Sequence, residues 1–406
     1  MGAPALVTLD DIRAAHERIR PHVHRTPLLT SAALDALASA RLCRPDERVR
    51  VRLALKSEHL QKVGAFKMRG ATNATLRHLE EVRKAEPDFD VARLALVTHS
   101  SGNHAAALAA AAASVGAKAH VVMPSNAPGV KKAAVAGYGA RIYFCEPTLV
   151  ARETTAERVM EEQRAAGAHA VFVHPYDEAW VIAGQGTLGI ELHQQVAQLE
   201  QRAACSHAAE ASASAADPSP NAWQRRGTDE PQLDFVVAPV GGGGMMSGVS
   251  TAVTSLDKRI EVHGAEPADA DDAYRSVQSG SVQPAVVPAR TICDGLLTSL
   301  SERTFAHVQA HVKEIHLVDD RETLAAMRLV YERMKQVIEP SSATSLAVVL
   351  SSDSFRDAVR PAIEAKARSL ADGEHAEIRI VLVITGGNVE LSKLVRAMEQ
   401  AEETQS

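Results

Sequence analysis

The sequence predicts an α/β protein whose parallel sheets are wrapped by helices. Short β-branched runs recur along the chain and alternate with helical stretches. Most of these runs are apolar throughout, the pattern of strands buried on both faces. Each passes directly into a turn rich in Gly, Pro or Ser.

In chain order the runs are ARLALVTHS (92–100), AKAHVVMPS (117–125), ARIYFCEP (140–147), AVFVHP (170–175), LDFVVAPV (233–240), RIEVHGAEP (259–267) and IRIVLVITGG (378–387). Residues 103–115 and 151–166 read as helices between them. Ligands of such folds sit at the carboxyl ends of strands, where the chemically interesting residues of this chain fall. Residues 201–232 are rich in Ala, Ser, Asp and Pro and lack periodicity. They read as a disordered insertion before the strand LDFVVAPV. Shorter insertions are expected at 41–47 and 371–376.

With 406 residues and 46% hydrophobic content, the chain can bury a large core. Aromatics make up only 3%, so Ala, Val and Leu must fill it. The formal charge of -6 and the lack of a Lys/Arg run argue against nucleic acid or an anionic membrane as partner. Cys43, Cys145, Cys205 and Cys293 show no metal-ligand spacing and read as reduced thiols. No signal pattern opens the sequence and no apolar run is long enough to span a bilayer. The expected location is the cytoplasm.

Three motifs carry chemistry. In DFVVAPVGGGGMMSG (234–248) a buried strand runs into Gly241, Gly242, Gly243 and Gly244, then a helix. Such a loop lets backbone N–H groups close on a phosphate at a helix N-terminus. A plain flexible turn is the alternative. In KSEHLQKVGAFKMRGATNA (56–74), Lys67 lies between Phe66 and Met68. An apolar setting lowers a lysine pKa, as imine chemistry with an aldehyde requires; a solvated helix face is the plain alternative. In THSSGNHAAALAAAAASVG (98–116), Ser100, Ser101, Gly102 and Asn103 precede an Ala-rich helix. Ser101 can simply cap that helix. The same helix start also suits an amino-acid carboxylate, and two hydroxyls, an amide and His104 exceed what a cap needs.

GAFKMRGA, SSGNH and GGGGM, in this order, resemble the serine racemase and serine/threonine dehydratase family of fold-type II pyridoxal-phosphate enzymes. VIAGQGT (181–187), VIEPSSA (337–343) and ITGGNV (384–389) are similar to further family segments. The resemblance covers about residues 9–394 and implies a tryptophan synthase β-like fold and a homodimer. A large cofactor lobe would comprise 1–92 and 175–406, with a smaller lobe, 93–174, closing over substrate. Lys67 would carry pyridoxal phosphate covalently, with Phe66 beside the ring. Asn103 would meet the phenolic oxygen, Gly241 to Met245 the phosphate, and Thr385 the pyridine nitrogen. Ser100, Ser101, Asn103, His104 and Arg152 would face the substrate, although a surface role suits Arg152 equally.

HGAEPADADDAYRS (263–276) resembles the family's divalent-cation site, with Glu266, the carbonyl of Ala270 and Asp272 as ligands for Mg²⁺ or Ca²⁺. An acidic helix start is the alternative. The resemblance implies a racemase with dehydratase side activity, because Ser101 supplies a hydroxyl opposite Lys67. Tyr176-Asp177 looks closer to the dehydratases, so a dehydratase of serine, threonine or hydroxyaspartate is the rival reading. Val63 and Ala106 replace polar residues of the family's nucleotide-effector site, which puts ATP activation in doubt. A non-catalytic phosphate-binding protein is the rival from another class, and it leaves Lys67 without a role.

Overall fold

The computed structural model describes residues 5–403 apart from 101, 128, 211–222, 224, 225 and 227–229. Along the first half run α1 (Leu9–Ile19), β1 (Leu28–Thr30), α2 (Ala32–Leu42), β2 (Val49–Ser57), α3 (Lys67–Ala85), β3 (Leu94–His99), α4 (Asn103–Val115), β4 (Lys118–Pro124), α5 (Gly129–Gly137), β5 (Arg141–Cys145), α6 (Leu149–Ala165) and β6 (His169–Phe172). The second half runs α7 (Ala179–Glu210), β7 (Phe235–Pro239), α8 (Gly244–Leu256), β8 (Glu261–Pro267), α9 (Asp272–Ser279), α10 (Glu302–His311), β9 (Glu314–Val318), α11 (Asp320–Leu329), α12 (Pro340–Ser351), α13 (Asp353–Ser369), β10 (Ala376–Ile384) and α14 (Leu391–Glu403).

Two sheets result. The larger has the order β1-β2-β10-β7-β8-β9, parallel except for β1 against β2. The smaller, β5-β4-β3-β6, is wholly parallel and is built from residues 94–172. β10 is buried at eight of nine positions, as a central strand covered by helices on both faces must be. The fold class is the one the sequence predicts.

β2 carries Arg50, Arg52 and Lys56 inside a buried strand. Each charge is matched: Arg50 and Arg52 pair with Glu377, Arg52 also with Asp35, and Lys56 with Glu191. Residues 201–210 continue α7, so the helix extends into the stretch that reads as an insertion. At its far end Trp223 is buried beneath Arg379, and Arg226 pairs with Asp234 at 2.6 Å. Residues 211–222, the middle of that stretch, lie outside the described residues.

α7 fixes the helices that carry the site. A Cβ at Gly248 of α8 would lie 2.5 Å from the Gly186 nitrogen of α7, so the two backbones touch only because both positions are glycine. This is the physical use of VIAGQGT. On its other side α7 meets α3 through buried charge. Arg69 bonds Glu58 and Glu191 at 2.8 Å each, and Lys56 bonds Glu191 at 2.7 Å. All four are buried. The cluster ties β2, α3 and α7 together two residues from Lys67. Burial raises Glu191, but Arg69 and Lys56 outweigh it and hold its carboxyl down at about 2.

Candidate active site

Lys67 is the first residue of α3. The chain enters the helix along the end of β10: Phe66 N–H donates to Thr385 O at 2.9 Å, and Ala65 bridges Gly386. The Lys67 amine donates to Pro175 O at 2.8 Å and lies 5.2 Å from the centre of the Phe66 ring. Burial lowers its pKa to about 8, opposed by the Glu339 charge.

The glycine loop lies between β7 and α8. Gly243 is the helix N-cap in the left-handed region (φ 81°). At Gly242 a Cβ would come within 2.5 Å of the Tyr176 ring, and at Gly244 within 2.9 Å of the Tyr176 backbone. At Gly241 it would meet the Leu296 Cα at 3.1 Å. Met245 follows, buried in the first turn of α8. The loop is therefore a packed cradle rather than a flexible turn. Tyr176 and Pro175 come from the same HPYDE segment, so one loop touches both the cradle and the lysine.

At the end of β3, Ser100 N–H donates to Val122 O and Ser100 Oγ accepts from Gly102 N–H. Gly102 is the N-cap of α4. Ser101 lies outside the described residues. Asn103 donates from Nδ2 to both carboxylate oxygens of Glu339, at 3.0 and 3.1 Å. Its Oδ1 accepts from Asn388 at 2.9 Å. His104 is buried, and burial, with the nearby Lys67 and His174 charges, lowers its pKa well below the usual histidine range. Thr385 is also buried, its hydroxyl 2.9 Å from Ser342 Oγ, which in turn bonds Gly386.

Arg152 stands in the first turn of α6, bonded to Thr148 O at 3.4 Å, and its charge acts on His99 and Tyr176. A cavity of about 670 Å³ opens beside Asn103, with Val63, Ala106, Lys131, Asp294 and Asn388 on its wall.

A further cluster sits at the end of β8. Both carboxylate oxygens of Glu266 accept backbone N–H groups of α9, from Ala273 at 2.8 Å and Tyr274 at 2.7 Å. Asp272 and Ala270 are buried beside it, and among the described residues Asp272 Oδ2 has no hydrogen-bond partner. Burial pushes Glu266 well above the usual range and Asp272 up to about 6, and Asp272 adds to the rise at Glu266.

Sequence reasoning missed Glu339, Ser342 and Asn388 as individual residues. The only signal for them was their place inside the segments VIEPSSA and ITGGNV.

The model of the family described as "Pyridoxal-phosphate dependent enzyme" matches residues 19–386. A serine racemase of Dictyostelium discoideum is 37% identical over 97% of this chain and 98% of its own length. A β-hydroxyaspartate dehydratase of Paracoccus denitrificans is 38% identical over 95% of this chain and 98% of its own. The solved structure of maize serine racemase matches with a TM-score of 0.73 at 33% identity, covering 99% of each chain. With Lys67 beside a closed glycine cradle and a family match across most of its length, the chain belongs to the pyridoxal-phosphate dependent enzymes.

Proposed function

We propose that this enzyme interconverts L- and D-serine and also eliminates water from serine or threonine, giving a 2-oxo acid and ammonia. The observation that carries the reading is a lysine of lowered pKa placed beside the glycine cradle. The serine racemases among its relatives set the substrate.

Lys67 would hold the cofactor, with Phe66 packed beside it. Gly241 to Met245 would take its phosphate, Asn103 would meet its phenolic oxygen and Thr385 its ring nitrogen. Bound there, pyridoxal phosphate supplies an electron sink for the bonds at the substrate's α-carbon. A hydroxyl at Thr385 cannot hold a proton on the ring as a carboxylate would. Proton placement by the protein therefore carries more of the task. The Lys67 amine, near neutrality in pKa, moves a proton on one face of that carbon, and the Ser101 hydroxyl serves the other. Ser100, Asn103 and the first turn of α4 seat the substrate carboxylate, with buried His104 behind them and Arg152 at the rim. The lobe 93–174 closes over substrate and expels water.

Glu266, the Ala270 carbonyl and Asp272 suit Mg²⁺ or Ca²⁺, since a cation would give the unpartnered Asp272 oxygen a partner and offset two buried carboxyls. A homodimer is the assembly that the family resemblance implies. Val63 and Ala106 turn apolar side chains to the cavity beside Asn103, which weighs against ATP activation there. Among the described residues no helix is long and apolar enough to cross a membrane, in keeping with a cytoplasmic enzyme. The second reading, a hydroxyaspartate dehydratase without racemase activity, is favoured by Tyr176-Asp177 and by the Paracoccus relative.

Ser101→Ala separates the two reactions. Racemisation of L-serine should fall on the order of 10²–10⁴-fold, while pyruvate formation persists. Equal loss of both would refute the two-base assignment and leave Ser101 as a cap or carboxylate contact.

A further inference from the structure

Glu339 is a buried carboxylate at the N-cap of α12, and it reaches the site that the proposed function gives to the cofactor. Its two oxygens take the Asn103 amide nitrogen at 3.0 and 3.1 Å. The carboxylate fits closely against the end of β10: a Cβ at Gly386 would lie 2.7 Å from Glu339 Oε1. An asparagine amide is nearly symmetric in shape, so packing alone does not decide which end points where. An ionised carboxylate accepts and cannot donate, so it dictates that the nitrogen of Asn103 faces it. Asn388 enforces the same sense from the other side. It donates from Nδ2 to Asn103 Oδ1 at 2.9 Å and to Val63 O at 2.8 Å.

An amide nitrogen carries two hydrogens. One can be shared by the Glu339 oxygens, which leaves the other for a second acceptor. A flipped amide would instead offer its oxygen to the cofactor's phenolic oxygen, and two acceptors would face each other. We propose that Glu339 is a positioning residue that locks the Asn103 amide with its N–H toward the cofactor's phenolic oxygen. This rests on the assignment of Asn103 to that oxygen.

The lock is sensitive to pH. Burial raises Glu339 to about 7, and Asp294 adds to the rise. The Asn103 bond, Lys131 on α5 and the Asn388 backbone N–H oppose it, and Lys67 on α3 feels its charge. Once protonated, Glu339 carries an O–H and no longer forbids the flipped amide. Cofactor affinity should therefore be high above about pH 7 and fall as the pH drops through it.

The test is the dissociation constant of pyridoxal phosphate, measured by equilibrium dialysis of the full chain at about pH 8 and about pH 6. Wild type should bind about tenfold more weakly at the lower pH, the worth of one hydrogen bond. E339A should bind about tenfold more weakly at the higher pH and lose most of the pH dependence. E339Q carries a donor beside its acceptor, as protonated Glu339 does, and has no ionisation step. It should bind about tenfold more weakly than wild type at the higher pH and lose most of the pH dependence. If E339Q retains the wild-type pH dependence, or E339A binds as tightly as wild type, the proposal is overturned while the assignment beneath it stands. If wild type binds no pyridoxal phosphate, that assignment fails and the proposal with it.

Discussion

On the proposed function, Lys67→Ala should abolish racemisation and elimination together, each by about 10³-fold or more, because one amine would both anchor the cofactor and move the α-proton. Borohydride reduction followed by peptide mass spectrometry checks the anchoring directly. The wild-type peptide containing Lys67 gains the reduced cofactor, and the variant gains none anywhere. The chain has a second buried lysine of comparable pKa, Lys56, also lowered to about 8 by burial. Its amine is held by Glu191, Thr26 O and Gln195 at 2.7, 2.8 and 3.0 Å. Lys67 has the Pro175 carbonyl as its hydrogen-bond partner and lies beside the glycine cradle. Low pKa alone does not separate the two, but geometry does. An adduct that persists in Lys67→Ala would move the anchor elsewhere.

Arg69→Leu should cost about 3–5 kcal/mol of stability, since it leaves Glu58 and Glu191 buried with Lys56 as their remaining cation. Denaturant titration of the apo-protein measures it as a lower midpoint at unchanged slope. Glu58→Gln in the same background should recover part of the loss, because it removes one uncompensated charge. The wild-type pair also has a signed pH dependence. Glu191 is held at about 2, below its unfolded value. Its contribution is therefore fully present at neutral pH and is lost as the pH falls from the unfolded carboxylate range toward about 2. In Arg69→Leu this acid-side loss should shrink. An unfolding free energy within about 1 kcal/mol of wild type would mean that the cluster only fills space.

The same cluster explains where the sequence was hard to read. β7 is an apolar run, and β8, β10 and the four strands of the smaller sheet, though they carry polar residues, are legible beside it. β2 is equally buried, yet its Arg50, Arg52 and Lys56 disguise it, because partners distant in sequence neutralise them. β1 and β9 are short strands at the edges of the larger sheet, where polar residues are tolerated. In the site, the lysine, the glycine loop and SSGNH carry local patterns. Glu339 does not: its meaning lies in a bond to Asn103, 236 residues away in the chain. Tyr176 likewise reads as one loop residue until Gly242 and Gly244 are seen closing on it.

The most direct test of the account is to incubate the purified holoenzyme with L-serine and Mg²⁺ and quantify D-serine and pyruvate in one sample by chiral chromatography. Substantial D-serine together with pyruvate and ammonia is the expected result. Pyruvate without D-serine would contradict it, make this chain a dehydratase, and leave Ser101 without a proton to deliver.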